Sequence, residues 1–440
     1  MKYLSHIFPF SDFIYILQQE EYSSMRYVHW LPRFFFRRQI QVRQHLVWTA
    51  RVKMLFATST LVYLVVLSVG IIHSPLYILP LIVILTIICI PLDVLVANLL
   101  TSPIFALMKN RQLYLASAKV KSMTGLRVIA VAGSYGKTTI KQCIYEMIRY
   151  TKRSQMIEGN INTPLGIANW VSAKLQQNTE VLLVEMDTYR QGEIAESCWV
   201  TPPDIAILAN IGDQHLERFA GPTDHAKALS EIFTFAKPSA ILVADAETLQ
   251  TLRKQTGFVP SRNMRIEEVT PKGTTARNIN TTFALKAAEI LAVPIRFKED
   301  TLIHFEEPER RKRKTKMYGY DAIDDSYNIS FTTVSASLAE AREYANTQGK
   351  KLLVVTAGIP ELPKDRADNL RKFGLMLSSA ADHTYVLGSM FQDEICWGIG
   401  DDTKYTRARD LSKFVSNATR KYSTHEYVLL VLPELTDLYY

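Results

Sequence analysis

The stretch Arg127-Val-Ile-Ala-Val-Ala-Gly-Ser-Tyr-Gly-Lys-Thr-Thr-Ile140 predicts a strand, a glycine loop and the beginning of a helix. Apolar residues that favour strands occupy positions 128–131 and run directly into the loop. Gly133 and Gly136 allow the backbone to turn tightly and to point successive N–H groups at an anion. The order of these three parts indicates a phosphate-binding loop.

The residues after the second glycine fit the same interpretation. Lys137 supplies a positive charge for the outer phosphates of a nucleotide, and the hydroxyl of Thr138 is a ligand for Mg²⁺. The usual P-loop begins with a glycine five residues before the glycine that precedes its lysine. In this chain that first position, five residues before Gly136, is Val131. The shorter pattern still favours nucleotide binding over a chance glycine turn, because it follows a buried-strand run.

The composition sets bounds on the remainder of the chain. A length of 440 residues predicts two or three domains. Lys and Arg total 51 against 43 Asp and Glu, which gives a net charge of +8. The four cysteines, Cys89, Cys143, Cys198 and Cys396, lie far apart in the sequence. They support neither a zinc ribbon nor a disulfide framework, and we expect reduced, mostly buried thiols.

Two uncharged runs near the N-terminus predict a transmembrane hairpin. Residues 54–72 contain no charged side chain, and 19 residues are enough to cross a bilayer core of about 30 Å. His73-Ser74-Pro75 is a tight break, and a second uncharged run, 76–92, continues with 93–100. Either run alone is compatible with a buried helix of a soluble protein. Two such runs in succession favour a transmembrane hairpin over two buried helices of a soluble protein.

The flanking charges predict the orientation of this hairpin. Arg51 and Lys53 precede the first run, several basic residues follow the second between 109 and 121, and the connecting turn has no Lys or Arg. The positive-inside rule then places both ends in the cytoplasm. The basic, aromatic segment 1–53 is expected along the anionic membrane surface. Much of the positive charge is therefore a membrane feature, and no nucleic-acid partner is required. The expected location is the cell membrane, multi-pass, with the domains that follow the hairpin on the cytoplasmic face.

Downstream of residue 126 the pattern is that of an α/β protein. Predicted strands at 128–131, 181–184, 205–208 and 240–243 alternate with helices that include 138–150 and 224–235. A second block alternates in the same way, with strands at 320–323, 351–356, 384–387 and 427–432 and a helix around 334–345. Such alternation predicts parallel sheets covered by helices, with ligands at the carboxyl ends of the strands.

The predicted fold is therefore a P-loop parallel-sheet ATPase domain and a smaller Rossmann-like C-terminal domain, preceded by a two-helix transmembrane anchor. The domain predictions are a juxtamembrane segment 1–53, a hairpin 54–105, a central domain 106–300 and a C-terminal domain 301–440. The boundary between the last two is expected near 294–306.

Polar residues follow three of the predicted strands. Glu185 follows 181–184, His215 lies beyond 205–208, and Thr138 follows the glycine loop. A carboxylate, an imidazole and a hydroxyl at one sheet edge suit metal ions bound to phosphates. Each residue alone is equally consistent with a solvated loop carboxylate or a helix cap. Together with the loop they favour a site.

Several segments in order resemble the Mur ligases, and within them the branch that adds D-alanyl-D-alanine to UDP-N-acetylmuramoyl-tripeptide. The resemblance covers about residues 126–440. Its segments are Gly133-Ser-Tyr-Gly-Lys-Thr-Thr139, Glu158-Gly-Asn-Ile-Asn-Thr-Pro-Leu-Gly166, Glu185-Met-Asp-Thr-Tyr-Arg-Gln-Gly-Glu-Ile194, Asn210-Ile-Gly-Asp-Gln-His-Leu-Glu-Arg-Phe219, Arg277-Asn-Ile-Asn280, Pro308-Glu-Arg-Arg311, Ile323-Asp-Asp-Ser-Tyr-Asn328 and Thr356-Ala-Gly-Ile-Pro-Glu-Leu362.

The resemblance implies an ATP- and Mg²⁺-dependent ligase of peptidoglycan precursor synthesis. A substrate carboxylate would be activated as an acyl phosphate and attacked by the amine of an amino acid or a dipeptide. The implied catalytic residues are Lys137, Glu185 and His215, and the implied metal ligands are Thr138, Glu185 and His215. The implied ATP-binding residues are Gly133, Ser134, Tyr135, Gly136, Lys137, Thr138, Thr139, Asn280, Arg310, Arg311 and Asp325. The implied substrate-binding residues are Asn160, Asn162 and Thr163.

Two departures from the family pattern bear on activity. The family has a carbamoylated lysine that helps to hold a second metal, and the matching position here is Leu229. Lys227, about 200° away around a helix, cannot simply replace it. The soluble domain that binds uridine diphosphate is also replaced by the hairpin. Two alternatives therefore stay open: a catalytically weakened, membrane-anchored scaffold, and a P-loop ATPase outside the Mur ligases.

Overall fold

A computed structural model of the chain describes residues 10–36, 46–159, 161–212, 218–261, 263–271, 276–308, 310–327, 329–359, 366–388 and 392–432. The chain divides into two compact units. The first extends to Arg111, and the second runs from Gln112 to Thr436.

The first unit is helical. Its elements are α1 (Phe10–Gln19), α2 (Ser24–Phe36), α3 (Ala50–His73), a 3₁₀ turn (Leu76–Ile78) and the first part of α4 (Leu79–Ser122). The predicted break at 73–75 is confirmed, since α3 ends at His73 and α4 begins at Leu79. α1 packs on α3 through Phe10, whose ring meets Phe56 and Tyr63 edge-on. α2 is tied to α4 by the hydroxyl of Tyr27, which donates to the carbonyl oxygen of Pro91 at 3.1 Å.

The two long helices of this unit expose most of their apolar surface. Both are long and apolar enough to cross a membrane, and only 17% and 28% of their most apolar windows are buried. A core helix of a soluble protein would bury most of such a surface. The two apolar helices are thus suited to be membrane spans.

The second unit contains two α/β domains. The first consists of β1 (Arg127–Ala132), α5 (Lys137–Ile148), β2 (Ser154–Met156), α6 (Pro164–Lys174), β3 (Val181–Glu185), α7 (Glu193–Val200), β4 (Ile205–Leu208), α8 (Pro222–Thr234), β5 (Ile241–Asp245), α9 (Ala246–Thr256), β6 (Arg265–Val269), α10 (Ala276–Ile290) and α11 (Ile295–His304). Its sheet has the order β2-β3-β1-β4-β5-β6 with parallel pairing between all neighbours.

The position of β1 in this sheet decides where the site forms. β1 lies between β3 and β4, with Val131 opposite Glu185 and Ala132 opposite Leu208. Alternate residues of β1 face two separate cores, so both faces of the strand are buried. The loop after β1 therefore emerges between the carboxyl ends of its two neighbours, which is where ligands bind in such sheets.

The second domain is built from β7 (Arg313–Met317), β8 (Tyr320–Asp324), α12 (Phe331–Thr347), β9 (Lys351–Thr356), α13 (Arg366–Ala380), β10 (His383–Leu387), α14 (Gln392–Ile399), β11 (Tyr405–Ala408), α15 (Leu411–Lys421) and β12 (Tyr427–Val431). Its sheet has the order β11-β10-β9-β12-β8-β7. All neighbours are parallel except the edge hairpin of β7 and β8.

The predicted fold class and the predicted strands are confirmed. The structure adds strands that the sequence pattern did not predict, β2, β6, β7 and β11. Each of them lies at or next to a sheet edge and has a less apolar sequence than the central strands. Residues 310–314 are all basic, and the last two of them belong to the edge strand β7. An edge strand has a neighbouring strand on only one side and is more open to solvent than a central strand. It therefore contains fewer apolar residues.

A buried histidine gives the second domain a dependence on pH. The ring of His383 stacks on Tyr422, and its two nitrogens bond with the carbonyl oxygen of Thr403 (3.2 Å) and the hydroxyl of Thr406 (2.9 Å). Burial, with a contribution from the charge of Lys421, lowers the pKa of His383 to about 4. The folded domain therefore keeps this ring neutral at pH values where an unfolded chain would protonate it.

We predict that this histidine destabilises the domain as the pH falls from about 6.5 towards 4. In that interval the unfolded chain binds a proton that the folded domain excludes, so the free energy of unfolding decreases. His383→Gln should lower the free energy of unfolding at pH 7.5. The difference in this free energy between parent and variant should be smaller at pH 5, because only the parent loses stability through His383. Denaturation midpoints of both proteins at both pH values measure this. A gap that stays constant would contradict the prediction.

Candidate functional site

The glycine loop between β1 and α5 is shaped by its neighbours. Gly133 and Gly136 have φ angles of 134° and 82°, which side chains rarely adopt. A Cβ atom on Gly133 would lie 3.0 Å from the backbone nitrogen of Asn210, and one on Gly136 would collide with the side chain of Asn280. Glycine is therefore required at both positions.

Asn210, directly after β4, holds the loop in this shape. Its side-chain oxygen accepts a bond from the N–H of Tyr135 (2.9 Å), and its amide group donates to the carbonyl oxygen of Tyr135 (3.0 Å). The N–H of Ser134 donates to the carbonyl oxygen of Asn210, and the hydroxyl of Ser134 accepts from Gly212. Two strand ends are thus clamped together, and the loop is preorganised.

The P-loop lysine is folded back onto the loop. The Nζ atom of Lys137 donates to the carbonyl oxygen of Gly133 at 2.7 Å and lies 3.3 Å from the carboxylate of Asp187. Both side chains are more than nine-tenths buried. A lysine at this position is the group expected to contact the outer phosphates of a nucleotide.

Thr138 and Glu185, predicted as metal ligands from separate motifs, are in contact. The hydroxyl of Thr138 donates to Glu185 Oε2 at 2.7 Å. Glu185 is almost fully buried, and Lys141 Nζ lies 3.3 Å from the same oxygen. Lys141 also donates to the carbonyl oxygens of Ile157 and Gly159. Burial lowers the pKa of Lys141, while Glu185 opposes that shift.

The predicted substrate residues have different positions. The amide nitrogen of Asn162 lies 3.4 Å from carboxylate oxygens of both Glu185 and Asp187. The hydroxyl of Thr163 accepts a bond from the N–H of Gly166 and caps the N-terminus of α6. Asn160 and His215 lie outside the described residues.

These residues fit a magnesium nucleotide by the chemistry of their donors. Among the described residues, no group of three or more His, Cys, Asp or Glu side chains is placed to hold a metal by itself. The hydroxyl of Thr138 and the carboxylates of Glu185 and Asp187 are the oxygen ligands that Mg²⁺ prefers. Mg²⁺ at phosphate sites usually has few protein ligands, because phosphate and water oxygens supply the others. Thr138 and Glu185 are the residues suited to hold it.

The segment between α11 and β7, which leads into the second α/β domain, approaches this site through Glu307 and Arg311. Thr139 donates to Glu307 at 3.3 Å, and burial raises the pKa of Glu307, an effect that the charge of Arg277 opposes. Arg311 lies over the ring of Tyr327, and its positive charge adds to the lowering of the pKa of Lys141. Of the two predicted arginines, Arg311 therefore acts electrostatically on the loop site.

Arg310 and Asp325 are engaged within the second domain. The guanidinium of Arg310 donates to the hydroxyl and the carbonyl oxygen of Ser326. The carboxylate of Asp325 accepts a 2.6 Å bond from the hydroxyl of Ser337, and burial raises its pKa. Neither side chain is free to contact a nucleotide in this conformation.

Leu229 lies in the hydrophobic core of the first domain and is 1% exposed. The nearby Glu231 is occupied, because its two oxygens accept bonds from the N–H groups of Gly192 (2.6 Å) and Ala195 (3.0 Å) at the beginning of α7. It is thus a helix cap rather than a replacement for the missing lysine. Two other carboxylates near in sequence, Asp213 and Glu217, lie outside the described residues.

Sequence reasoning did not identify four residues that build the site, Lys141, Asp187, Asn210 and Glu307. Two of them carried a signal. Lys141 lies one helical turn after Lys137 on α5, and therefore on the same face, and Asp187 is two residues beyond the predicted ligand Glu185. The positions of Asn210 and Glu307 depend on strand order and on how the two domains pack.

We predict strong coupling between Lys141 and Glu185. Lys141→Met should lower the free energy of unfolding by about 3–5 kcal/mol, because it leaves a buried carboxylate without its cation. Glu185→Gln in the same chain should recover part of that loss, so the two changes should not be additive. Chemical denaturation of the purified full chain measures this.

The exposed pair of Arg153 and Glu180 provides the control for this cycle. Arg153→Met should cost less than about 1 kcal/mol. Additive effects of the two changes in the buried pair would contradict the coupling.

Comparison with known proteins finds a matching family model and similar curated proteins. Residues 131–296 match the Mur ligase middle domain. The chain is 28% identical over 267 residues to the UDP-N-acetylmuramoyl-tripeptide–D-alanyl-D-alanine ligase of Bacillus subtilis. The aligned region covers 55% of this chain and 58% of that protein. It is 29% identical over 139 residues to the enzyme of the same name from Escherichia coli, over 32% and 30% of the two chains. The chain thus spans less than two thirds of these relatives.

Solved structures agree on the fold. MurF ligase from Thermotoga maritima in complex with ADP superimposes with a TM-score of 0.64 at 22% identity, over 74% of this chain and 80% of that one. MurF from Acinetobacter baumannii gives 0.63 at 20% identity, over 74% and 77%. Residues 131–296 thus match the Mur ligase middle domain, and the chain is similar in fold to MurF structures.

Proposed function

We propose that this chain is an ATP-dependent ligase that joins a peptidoglycan-precursor carboxylate to the amine of an amino acid or a dipeptide such as D-alanyl-D-alanine. The observation that carries the proposal is the bond between Thr138 and Glu185 beside the loop lysine. Two residues from separate motifs meet where a magnesium nucleotide would need them. The names of the similar curated proteins supply the substrate class.

The residues of the loop have defined tasks in such a reaction. Bound ATP supplies the phosphoryl group that activates a carboxylate as an acyl phosphate. The N–H groups of residues 133–139 and the ammonium of Lys137 stabilise negative charge on the phosphates. Thr138 and Glu185 would hold Mg²⁺, with His215 as a further proposed ligand. Asn210 keeps the loop rigid, so little reorganisation is needed when the charge develops.

The second domain would complete the nucleotide site. Asn280, on α10 of the first domain, already lies against the loop at Gly136, and the charge of Arg311 acts on Lys141 beside it. For Arg310 or Asp325 to contact the nucleotide, the segment around Ser326 must rearrange, because both side chains are engaged there. A closing movement of the second domain, of the kind that often completes ligase sites, fits this requirement. Asn160, Asn162 and Thr163 remain the proposed substrate residues.

A weakened enzyme that acts as a scaffold is the second candidate, and Leu229 favours it. The leucine is buried in the core and offers no oxygen to a metal, and Glu231 is used as a helix cap. A working ligase therefore needs another anionic ligand. A P-loop ATPase outside the Mur ligases is not supported, because the chain has a MurF-like fold in both α/β domains.

The location that we propose is the cell membrane, with two spans and the α/β domains on the cytoplasmic face. The support is the exposed apolar surface of α3 and α4 and the basic residues that flank them. An anchored ligase of this kind would work next to the lipid-linked steps of wall synthesis, where its donor is either soluble or lipid-bound.

We predict that Lys137→Ala lowers ATP turnover by at least about 10²-fold, since one stabilising charge at phosphoryl transfer contributes on that scale. ADP release is measured with UDP-N-acetylmuramoyl-tripeptide and D-alanyl-D-alanine present. Lys254→Ala, at an exposed position on α9, is the control and should leave the rate unchanged. If Lys137→Ala turned over ATP at the parental rate, the assignment of the glycine loop as the ATP site would be rejected. A parent that is inert with every precursor and dipeptide would favour the scaffold.

For the hairpin we predict that reporter fusions at His73 and at Lys109 lie on opposite sides of the membrane. His73 ends the first span, and Lys109 lies in the basic segment after the second. A reporter active only in the cytoplasm should work at Lys109 and fail at His73. The same result at both positions would reject the hairpin.

A further inference from the structure

Arg51, in the first turn of α3, is held by two aromatic rings in the helical first unit of the chain. The central carbon of its guanidinium lies 3.8 Å from the ring centroid of Tyr22 and 5.2 Å from that of Phe105 on α4. Its Nε atom is buried and has no hydrogen-bond partner in the described part of the chain. No carboxylate among the described residues forms an ion pair with Arg51, and this includes Glu20 and Glu21 of the neighbouring turn. The positive charge is therefore positioned by rings and not neutralised by a described carboxylate.

The turn between α1 and α2 fixes the ring of Tyr22 beside this arginine. Glu21 and Tyr22 have φ angles of 53° and 62°, a left-handed conformation that side chains rarely adopt. The amide nitrogen of the buried Asn98 on α4 donates to the carbonyl oxygen of Tyr22 and to the hydroxyl of Ser24, both at 3.0 Å. Backbone strain that the surrounding structure holds in place is typical of positions where a functional group must be oriented.

The contact between Arg51 and Phe105 lies at the same end of both apolar helices. Arg51 precedes the uncharged run 54–72 by three residues, and Phe105 follows Leu100, the end of the second apolar run, by five. At about 1.5 Å per residue, both lie within about 8 Å of the ends of the proposed spans. The headgroup region extends roughly 5–8 Å beyond the apolar core of a bilayer on each side. The guanidinium is thus at the depth of lipid phosphates.

We propose that Arg51 is the centre of a binding site for the phosphate of an anionic membrane lipid, at the cytoplasmic end of the first unit. A guanidinium that stacks on aromatic rings keeps its N–H donors in a planar fork, which matches two oxygens of one phosphate group. Among phosphates, that of a bilayer lipid is the one present at this depth whenever the chain is in the membrane. This inference goes beyond the proposed ligase reaction and rests only on the proposed membrane spans.

The test counts lipids bound to the full chain, purified in a neutral detergent, by native mass spectrometry. Phosphatidylglycerol is titrated as the anionic lipid, and phosphatidylcholine is the comparison without net charge. The parent should retain one phosphatidylglycerol more tightly than phosphatidylcholine. Arg51→Gln should weaken this binding by at least about 10-fold, because a charge-assisted bidentate pair is lost.

Two matched variants separate a site from general surface charge. Lys53→Gln removes the same charge at an exposed position two residues away, and it should weaken binding by no more than about fivefold. Arg51→Lys retains the charge without the planar fork, so its affinity should lie between those of the parent and Arg51→Gln. An excess of inorganic phosphate should leave the lipid on the parent.

Equal weakening by Arg51→Gln and Lys53→Gln would overturn the inference, because general surface charge would then explain the binding. Parental affinity of Arg51→Lys would overturn it as well, since the fork would then have no role. Displacement of the lipid by inorganic phosphate would identify a site for a soluble anion instead. If alkaline carbonate released the parent chain from membranes, the proposed spans would be rejected and this inference with them.

Discussion

The pairing of buried charges around the glycine loop is the constraint on which the rest of the site depends. Glu185 and Asp187 lie at the carboxyl end of buried β3, and Lys137 and Lys141 reach them from α5. An unpaired charge at this buried position would cost several kcal/mol. The strand order meets this constraint, since β1 between β3 and β4 brings the loop lysines to the carboxylates. The same paired groups are those that a phosphate and its cation would need.

Much of this architecture is encoded in local patterns. The central strands and the glycine loop follow from apolar runs and turn residues, and the meeting of Thr138 with Glu185 follows from their places after strands. The edge strands do not follow, because their sequences are less apolar than those of the central strands. The roles of Asn210 and Glu307 do not follow either, because their partners come from distant segments. Lys141 is a special case. A lysine on a helix is usually expected to face solvent. Lys141 is instead buried against Glu185 by the tertiary fold.

Leu229 raises one physical question for the proposed function, which is how a second anionic ligand and the donor substrate are provided. Leu229 has become part of the core, and Glu231 stabilises the beginning of α7. The proposed membrane spans would restrict the α/β domains to the membrane surface.

The most direct test of the ligase account follows an oxygen atom. UDP-N-acetylmuramoyl-tripeptide labelled with ¹⁸O in its terminal carboxylate is incubated with the full chain, ATP, Mg²⁺ and D-alanyl-D-alanine, and the phosphate is analysed by mass spectrometry. Activation of the carboxylate by ATP predicts that one labelled oxygen appears in phosphate for each amide formed. Phosphate without label, released equally with and without the donor, would contradict the account.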